Sequence, residues 1–463
     1  MHLGSSDFSS HLSLELSRTR KMPEPAAGRH LVLVTFCLHN FFQCFCFMDF
    51  TTDEDVVTPM LNMNMSSAAG AAELDLLYYG GFAATLPAML VSLWLLLKGY
   101  DRVAGLLMSV LIVLGAWLRY AAAVEHSYPY ALISTVSLGL AGGVIFTSFT
   151  FLPARWFPEE ERAFATALAV QSNYAGWAVG CLNPLLFIGD TEEAKEASMV
   201  RFLLVQGIIT TLLLPLQVVV SARAPPDADA IVPSTATAAA EPDKLGVGAS
   251  LHLLATRPQY LIHSACYAVL GSVGYAVTGV VNTCFSASGA AFSANETTGL
   301  NVAFIVAGVL TGVVSGKVVP ERAYGTAVRA LFAVGAAGLC GVQLLLLVAS
   351  DANLSHDTML VLLVLLMILS GAGALGFINV GMRVAVAASH PAEEIYAGSV
   401  IEFFLLALAT ALGMLTILVP PKYTFVFFSV PAIFATVGIF AFARFDKPTV
   451  EPLAAADFGV DRF

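Results

Sequence analysis

The stretch PARWFPEEERA, residues 153–163, is a compact charged loop set between two long apolar runs. The stretch SHPAEE, residues 389–394, is a fainter copy of this loop and also lies between apolar runs. Pro158 of the first loop aligns with Pro391 of the second, and Glu160 and Glu161 align with Glu393 and Glu394. Two similar loops at equivalent places predict an internally duplicated membrane protein.

The composition indicates that lipid is the solvent around most of this chain. Of its 463 residues, 57% are hydrophobic and 12% are charged, and the mean hydropathy is +0.79. Soluble proteins carry about 25% charged residues, so an aqueous domain of this composition is excluded. The net charge of −11 argues against a nucleic-acid partner, because such proteins present basic surfaces.

Apolar runs long enough to cross a bilayer, which takes about 20 residues, recur along the chain. We therefore predict an all-α membrane protein with twelve transmembrane helices in two pseudo-symmetric halves of six. The predicted crossings lie near residues 31–50, 77–97, 104–122, 130–152, 163–188 and 199–221, then 259–284, 297–317, 326–349, 358–388, 395–418 and 423–443.

Between the two sets of runs, residues 222–258 are rich in Pro, Ala, Ser and Thr, which predicts a disordered linker. The predicted division of the chain is an N-terminal tail at 1–30, a first half at 31–221, the linker at 222–258, a second half at 259–444 and a tail at 445–463.

The lysines and arginines predict the orientation in the membrane. With both termini and the linker in the cytoplasm, all basic residues fall on the cytoplasmic side except Arg119, Lys195, Arg201 and Lys422. This bias follows the positive-inside rule and decides the predicted topology.

Glycosylation sequons give an independent indication of the same topology. The Asn-x-Ser/Thr motifs begin at Asn64, Asn295 and Asn353, and all of them fall in loops that this topology puts outside. We predict that these asparagines carry glycans.

Charged residues near the cytoplasmic loops predict gating elements. The turn KGYDR, residues 98–102, resembles the Asp-Arg turn of the major facilitator superfamily, in which Asp101 and Arg102 would fasten helix ends in one conformer. We expect Arg155, Glu161 and Arg162 to do related work. A charged turn that merely obeys the positive-inside rule is the alternative.

Polar residues inside the predicted helices are the candidate substrate contacts, because polarity within a bilayer is costly and usually functional. Hydrogen bonding between helices is the alternative role for these side chains. The candidates in the first, fifth and seventh helices are Asn40, Gln43, Phe47, Gln171, Asn173, Tyr174, Tyr275 and Asn282.

A single carboxylate, Glu402, lies about two turns into the eleventh helix. An unpaired carboxylate there costs on the order of 3 kcal/mol, so it needs a partner, a proton or water. We expect it to bind a cation or to relay a proton; a position near the interface, within reach of water, is the alternative.

No cofactor, metal or enzyme activity is predicted. The seven cysteines all lie in or beside apolar runs without a CxxC spacing, which is typical of small apolar helix residues. The few Ser, His and acidic residues in the helices lack the spacing of a catalytic triad or a metal site.

Three stretches resemble the feline leukaemia virus subgroup C receptor family, the heme and choline transporters of the major facilitator superfamily. They are RWFPE at 155–159, SNYAGWAVG at 172–180 and YAVTGVVN at 275–282. The resemblance spans most of residues 29–443 and implies the major facilitator fold, in which the two halves rock about a central site and open it to each side of the membrane in turn.

The resemblance also implies an aromatic cage that holds the quaternary ammonium of choline. The family's first-helix tryptophan falls on Phe47 and its seventh-helix tyrosine on Tyr275, whereas its two glutamines fall on Tyr174 and Leu406. Two aromatic faces are therefore kept, one is added, and both amides are lost.

The leading hypothesis is a secondary transporter for a small organic cation that resembles choline or ethanolamine. Export of heme, with His39, His263 or Cys46 as candidate ligands, is the second hypothesis, and a receptor or sensor that does not transport is the third. We expect a monomer in the lipid bilayer, in the plasma membrane or in an organelle membrane.

Overall fold

A computed structural model describes residues 28–51, 54–64, 68–183, 191–223, 246–286, 292–348, 354–416, 418–420 and 423–444. Within those ranges the chain is helical and contains no strand.

In its described residues the first half, called the N half, contains seven helices. They are α1 (Arg29–Phe47), α2 (Glu54–Met60), α3 (Ala68–Leu97), α4 (Asp101–Val124), α5 (Tyr128–Trp156), α6 (Glu159–Gly180) and α7 (Glu192–Ser221). All except the short α2 match predicted crossings.

The second half, called the C half, follows a short helix, α8 (Val247–Thr256). Its helices are α9 (Pro258–Ser286), α10 (Ala294–Val318), α11 (Tyr324–Val348), α12 (His356–Ala374), α13 (Ile378–Ser389), α14 (Glu394–Thr416) and α15 (Thr424–Ala441). A 3₁₀ turn, Glu321–Ala323, precedes α11.

Eleven helical spans in the described ranges are long and apolar enough to cross a membrane, with α12 and α13 together forming one of them. The helix α6, predicted as the fifth crossing, is not among them, because Gln171, Ser172 and Asn173 lower its hydropathy. Leu212, Leu310 and Phe434 are exposed on the outside of the bundle, as expected of side chains that face lipid. The chain is therefore an integral multi-pass membrane protein, whereas the twelfth crossing and the side of the termini stay predictions.

The helix bounds differ from the predicted ones at several places, for identifiable reasons. The helix α6 begins at Glu159 rather than near residue 163, because Pro158 at its N-cap and the acidic first turn favour a helix start. The predicted linker contains α8, whose Leu254 is buried; residues 224–245 of that linker lie outside the described ranges.

The tenth crossing, predicted as one helix over 358–388, is two helices, α12 and α13. Gly371 near the end of α12 lies directly against the backbone carbonyl of Phe304 in α10, in a place that admits no Cβ. Close helix contact of this kind requires glycine. The break follows at Leu375–Phe377, where the chain continues into α13.

The two halves meet along two sets of helices. The helix α6 of the N half packs on α10 of the C half, and α14 of the C half packs on α3 and α5 of the N half. In order of crossing, α6 and α10 are the fifth and eighth, and α14 and α3 are the eleventh and second. Exchanging the halves exchanges these two pairs, as a pseudo-two-fold relationship requires.

Candidate functional site

A cluster of aromatic side chains fills the middle of the interface between the halves. Its members are Phe47 on α1, Tyr78 and Phe82 on α3, Tyr174 and Trp177 on α6, and Tyr275 on α9. We call these six residues the central aromatic cluster. Every one of them is at most 4% exposed.

The rings of the cluster are in mutual contact. Trp177 lies edge-on to Tyr275 with centroids 4.7 Å apart, and Phe47 stacks on Phe82 at 5.2 Å. Phe82 in turn lies 5.8 Å from Tyr275, so it joins Phe47 to the tyrosines of the predicted cage. Phe47, Tyr174 and Tyr275, which the sequence predicted as cage residues, therefore belong to one cluster.

Hydroxyl groups link the halves at this cluster. The Tyr174 hydroxyl, from the N half, donates to the Tyr275 hydroxyl of the C half at 3.2 Å. Nearby, the hydroxyls of Tyr78 and Thr278 are 2.9 Å apart, again across the interface. Any movement that separates the halves at the cluster must break these bonds.

Helical spacing explains how short segments supply several rings. Tyr78 and Phe82 are four residues apart on α3, and Tyr174 and Trp177 are three apart on α6, so each pair shares one helix face. Sequence reasoning missed Tyr78, Phe82 and Trp177, although the same spacing rule, applied outward from Tyr174, reaches Trp177.

An aromatic cluster offers one chemistry above others. The faces of Trp, Tyr and Phe attract cations by about 0.5–2 kcal/mol each, most strongly where water is excluded. The buried rings of the cluster therefore suit a small, weakly hydrated organic cation, once they part enough to admit it.

The polar candidates on α1 hold the N half together. Asn40 donates to the carbonyl of Ala169 at 2.7 Å and accepts from Asn173 at 2.7 Å, which ties α1 to α6. Gln43 donates to the carbonyl of Leu138 on α5 at 3.0 Å. In this structure their contacts are therefore those of the alternative role, hydrogen bonding between helices.

Gln171 lies at the interface between the halves, facing Gly312 of α10. It is 2% exposed, and neither atom of its amide forms a hydrogen bond with a described residue. An amide buried without partners is costly, so this position is a candidate for ligand contact. Asn282, the remaining polar candidate, lies in α9, and its side chain is outside the described part of the chain.

Glu402 on α14 is fully buried, so its carboxyl group is out of contact with bulk water in this structure. Its Oε1 accepts a hydrogen bond of 2.5 Å from the Tyr267 hydroxyl on α9, and its Oε2 accepts none from the described residues. The carboxyl group interacts electrostatically with Tyr174 and Tyr275, so it belongs to the surroundings of the cluster.

Glu394 joins the halves at one end of the bundle. Its carboxylate accepts from Arg162 of the N half at 3.0 Å and from Arg383 of the C half at 2.7 Å. In addition, the Thr150 hydroxyl donates to the backbone carbonyl of Glu394 at 3.1 Å. Of the predicted gating residues, Arg162 is the one that takes part in this link between the halves.

The other predicted gating residues pair within the N half or not at all. Arg155 lies 3.5 Å from Asp101, and Glu161 accepts from Arg29 at 3.0 Å. Arg102 is exposed and forms no ion pair with another described residue.

A buried charge pair lies at the other end of the N half. Asp49 accepts from Asn183 at 2.9 Å and from Gln206 at 3.2 Å, and its Oδ2 lies 3.9 Å from Nε of Arg119. The Arg119 guanidinium also lies over the Phe50 ring at 4.5 Å. Arg119, one of the exceptions to the charge bias, is thus accommodated by a carboxylate and a ring.

The groups that heme ligation would use are engaged elsewhere or enclosed. Both ring nitrogens of His39 are hydrogen-bonded, to the carbonyl of Thr35 and to the hydroxyl of Ser109. Nε2 of His263 bonds the carbonyl of Gly381, and Cys46 is fully buried. Among the described residues no group of three His, Cys, Asp or Glu side chains is arranged to hold a metal.

Of the predicted glycosylation sites, Asn64 and Asn295 are exposed. Asn353 lies outside the described ranges.

Two helical halves that meet around a buried interfacial cluster are the architecture common among secondary membrane transporters. Residues 43–414 match the family model of the Major Facilitator Superfamily, and the chain belongs to that superfamily.

The individual relatives are similar to this chain only at low sequence identity and over part of their length. The chain is 25% identical over 236 residues to the human "Choline/ethanolamine transporter FLVCR2", a match that covers 50% of this chain and 44% of that protein. It is 29% identical over 212 residues to the Xenopus laevis "Solute carrier family 49 member 4 homolog", covering 42% of this chain and 44% of the relative. The matched region thus spans less than half of either relative.

A solved structure agrees in fold. The transporter FucP in its outward conformation superimposes with a TM-score of 0.54 at 15% identity, over 87% of this chain and 99% of FucP. This likeness supports the major facilitator fold, as the sequence predicted.

Proposed function

We propose that this protein transports a small organic cation, of the choline or ethanolamine type, by alternating access through the central aromatic cluster. The observation that carries the proposal is the composition of the cluster, in which buried rings of the N half pack against Tyr275 of the C half. Cation–π attraction is the interaction that such a site can supply.

The position of the cluster supports transport rather than simple binding. Because Tyr174 and Tyr275 come from opposite halves, a rocking motion of the halves would open the cluster to one side and then to the other. A cation held between them would then face each side of the membrane in turn.

We propose that the link between Arg162 and Glu394 closes one end of this path. It must break when that end opens, since its two residues lie on opposite halves. The pairs Asp101–Arg155 and Arg29–Glu161 would fix helix ends within the N half during the same motion.

The FLVCR relatives give the substrate class its second support, because they are named choline and ethanolamine transporters. By contrast, His39 and His263, the candidate heme ligands, bond protein atoms, so heme export is not proposed.

Uptake of labelled choline and ethanolamine into intact cells expressing the protein tests the proposal. Tyr275→Ala should abolish saturable uptake, because it removes the ring in contact with four other rings. The matched control is Tyr260→Ala on the same helix, since Tyr260 is equally buried but bonds the Ala397 carbonyl outside the cluster.

Surface biotinylation of each variant tests the proposed plasma-membrane location and confirms delivery. Normal uptake by Tyr275→Ala at equal surface amounts would count decisively against the cluster as the site. Absence of uptake by the unaltered protein at the surface would remove choline and ethanolamine as substrates.

A further inference from the structure

Glu402 has a hydrogen-bonding capacity that the protein does not use. One carboxyl oxygen accepts the Tyr267 hydroxyl, and the other accepts nothing from the described residues, although the side chain is fully buried. A carboxylate oxygen has room for two donors. The described part of the chain offers Glu402 no ion-pair partner, and its titratable neighbours are the tyrosines 174, 267 and 275.

The position of Glu402 relates it to the aromatic cluster. The helices α9 and α14 lie side by side, with Tyr267 against Glu402 and with the Tyr260 hydroxyl on the Ala397 carbonyl. Tyr275 follows Tyr267 on α9 by about two turns. Glu402 therefore lies between the cluster and the end of the bundle that Glu394 closes.

A carboxylate and an aromatic face select different cations. A ring face attracts any soft cation and needs no hydrogen from it. A buried carboxylate with an open lone pair gains most from a charged N–H donor, because charge-assisted hydrogen bonds are about twice as strong as neutral ones. A fully methylated ammonium has no N–H to offer, whereas a primary ammonium has three.

We propose that Glu402 makes this site prefer ammonium substrates that carry N–H groups, such as primary and secondary amino alcohols, over quaternary ones. This inference rests on the proposed function, because it assumes that a cation reaches the cluster. The ammonium group donates to Oε2 of Glu402 and at the same time lies against the ring faces of the central aromatic cluster.

A methylation series tests the proposal on the unaltered protein. Uptake competition is measured with ethanolamine, its N-methyl and N,N-dimethyl derivatives, and choline, which differ mainly in the number of N–H groups. The apparent affinity should fall along the series, and the step from the dimethyl compound to choline should be about tenfold, since it removes the last charged donor. Affinity that stays level or rises with methylation overturns the proposal, whether or not any variant folds.

Glu402→Gln then assigns the preference to the residue. The variant should lose about tenfold of its affinity for ethanolamine relative to choline, because its amide oxygen accepts without the charge. Tyr267→Phe keeps the carboxylate and should keep the preference, and Glu393→Gln, an exposed change of the same kind, is the matched control. Surface biotinylation and the size-exclusion profile of each variant serve as its folding check.

The outcomes separate the two levels of inference. Lack of saturable uptake of the whole series by the unaltered protein at the surface defeats the proposed function itself. Uptake of the series with equal losses for all compounds in Glu402→Gln overturns only the present inference and indicates a role in proton relay or in packing.

Discussion

The carboxylate of Glu394, in the C half, lies 3.0 Å from the guanidinium of Arg162, in the N half. Arg383 approaches the same carboxylate at 2.7 Å, so one acidic group holds two arginines from opposite halves. All three side chains are less than a third exposed, which limits the screening of the pair by water.

Glu394→Gln should open this end of the interface. Two arginines lose their counter-charge, and a partly buried charge-assisted bond of this kind is worth about a tenfold change in population. The measurement is maleimide labelling of a cysteine introduced at Thr150, which is 1% exposed and bonds the Glu394 carbonyl. Labelling that stays at the level of a Glu393→Gln control would contradict a closing role for the pair.

Breaking the ion pair of Asp49 and Arg119 by removing the arginine should strongly destabilise the folded protein. Arg119→Leu leaves Asp49 buried without its counter-ion, at a cost of about 3–5 kcal/mol. The double variant Asp49→Asn, Arg119→Leu should be less destabilised than Arg119→Leu alone, because it buries no charge. Thermal unfolding in detergent measures both, and a double variant that melts lower than the single one would refute the argument.

Trp177→Ala should raise the KM for the transported cation by about 2- to 30-fold, the value of one aromatic face. Its ring is the closest one to Tyr275, with centroids 4.7 Å apart. The matched control is Trp94→Ala, which should leave the KM unchanged. It removes an indole that is 54% exposed on the outside of the bundle. Equal effects of the two changes would exclude a direct contribution of Trp177.

Gly371→Ala and Gly299→Ala form a matched pair for packing in the C half. A Cβ at Gly371 would collide with the Phe304 carbonyl, whereas a Cβ at Gly299 meets nothing within 4 Å. The first change should lower the yield of folded protein and its Tm. The second should be neutral or slightly stabilising, because alanine is the better helix former by about 1 kcal/mol. Size-exclusion profiles and melting in detergent measure both, and equal profiles would mean that α10 and α12 can move apart.

Glycosylation tests the predicted orientation. Asn64 and Asn295 are exposed, and both lie on the side predicted to be outside. Endoglycosidase treatment should increase the gel mobility of the protein, and Asn64→Gln and Asn295→Gln should each remove part of that shift. Asn353→Gln tests the third sequon in the same way. A protein without any glycan in a glycosylating host would leave the orientation supported by the basic residues alone.

The sequence predicted the two halves and most crossings, because a crossing needs only a local apolar run. It also predicted Phe47, Tyr174 and Tyr275, through the resemblance to a family. It did not predict Phe82, which joins Phe47 to the tyrosines, because periodicity shows which residues share a helix face but not which faces meet. The hydrogen-bond partner of Glu402 was not predicted for the same reason, since Tyr267 lies on another helix.

The break in the tenth crossing was missed for a different reason. The apolar run over 358–388 has no proline and reads as one long helix. The sequence carries glycines at 371, 373 and 376 beside the break, and at Gly371 a tertiary contact with the Phe304 carbonyl of α10 leaves no room for a Cβ. Likewise, Asn40 and Gln43 are polar residues of the kind that line binding sites. Their hydrogen bonds, however, link helices within the N half.

The central aromatic cluster has a consequence for how tightly the protein holds its cargo. With its rings packed on one another, the site is occupied by its own side chains, which act as a built-in competitor of any ligand. Each turnover must first displace this internal occupant, so the apparent affinity is the intrinsic affinity multiplied by the fraction of open molecules. The same competitor helps release, because the rings close again as the cargo leaves. Substitutions that loosen the ring contacts without removing a face should therefore tighten binding and slow transport.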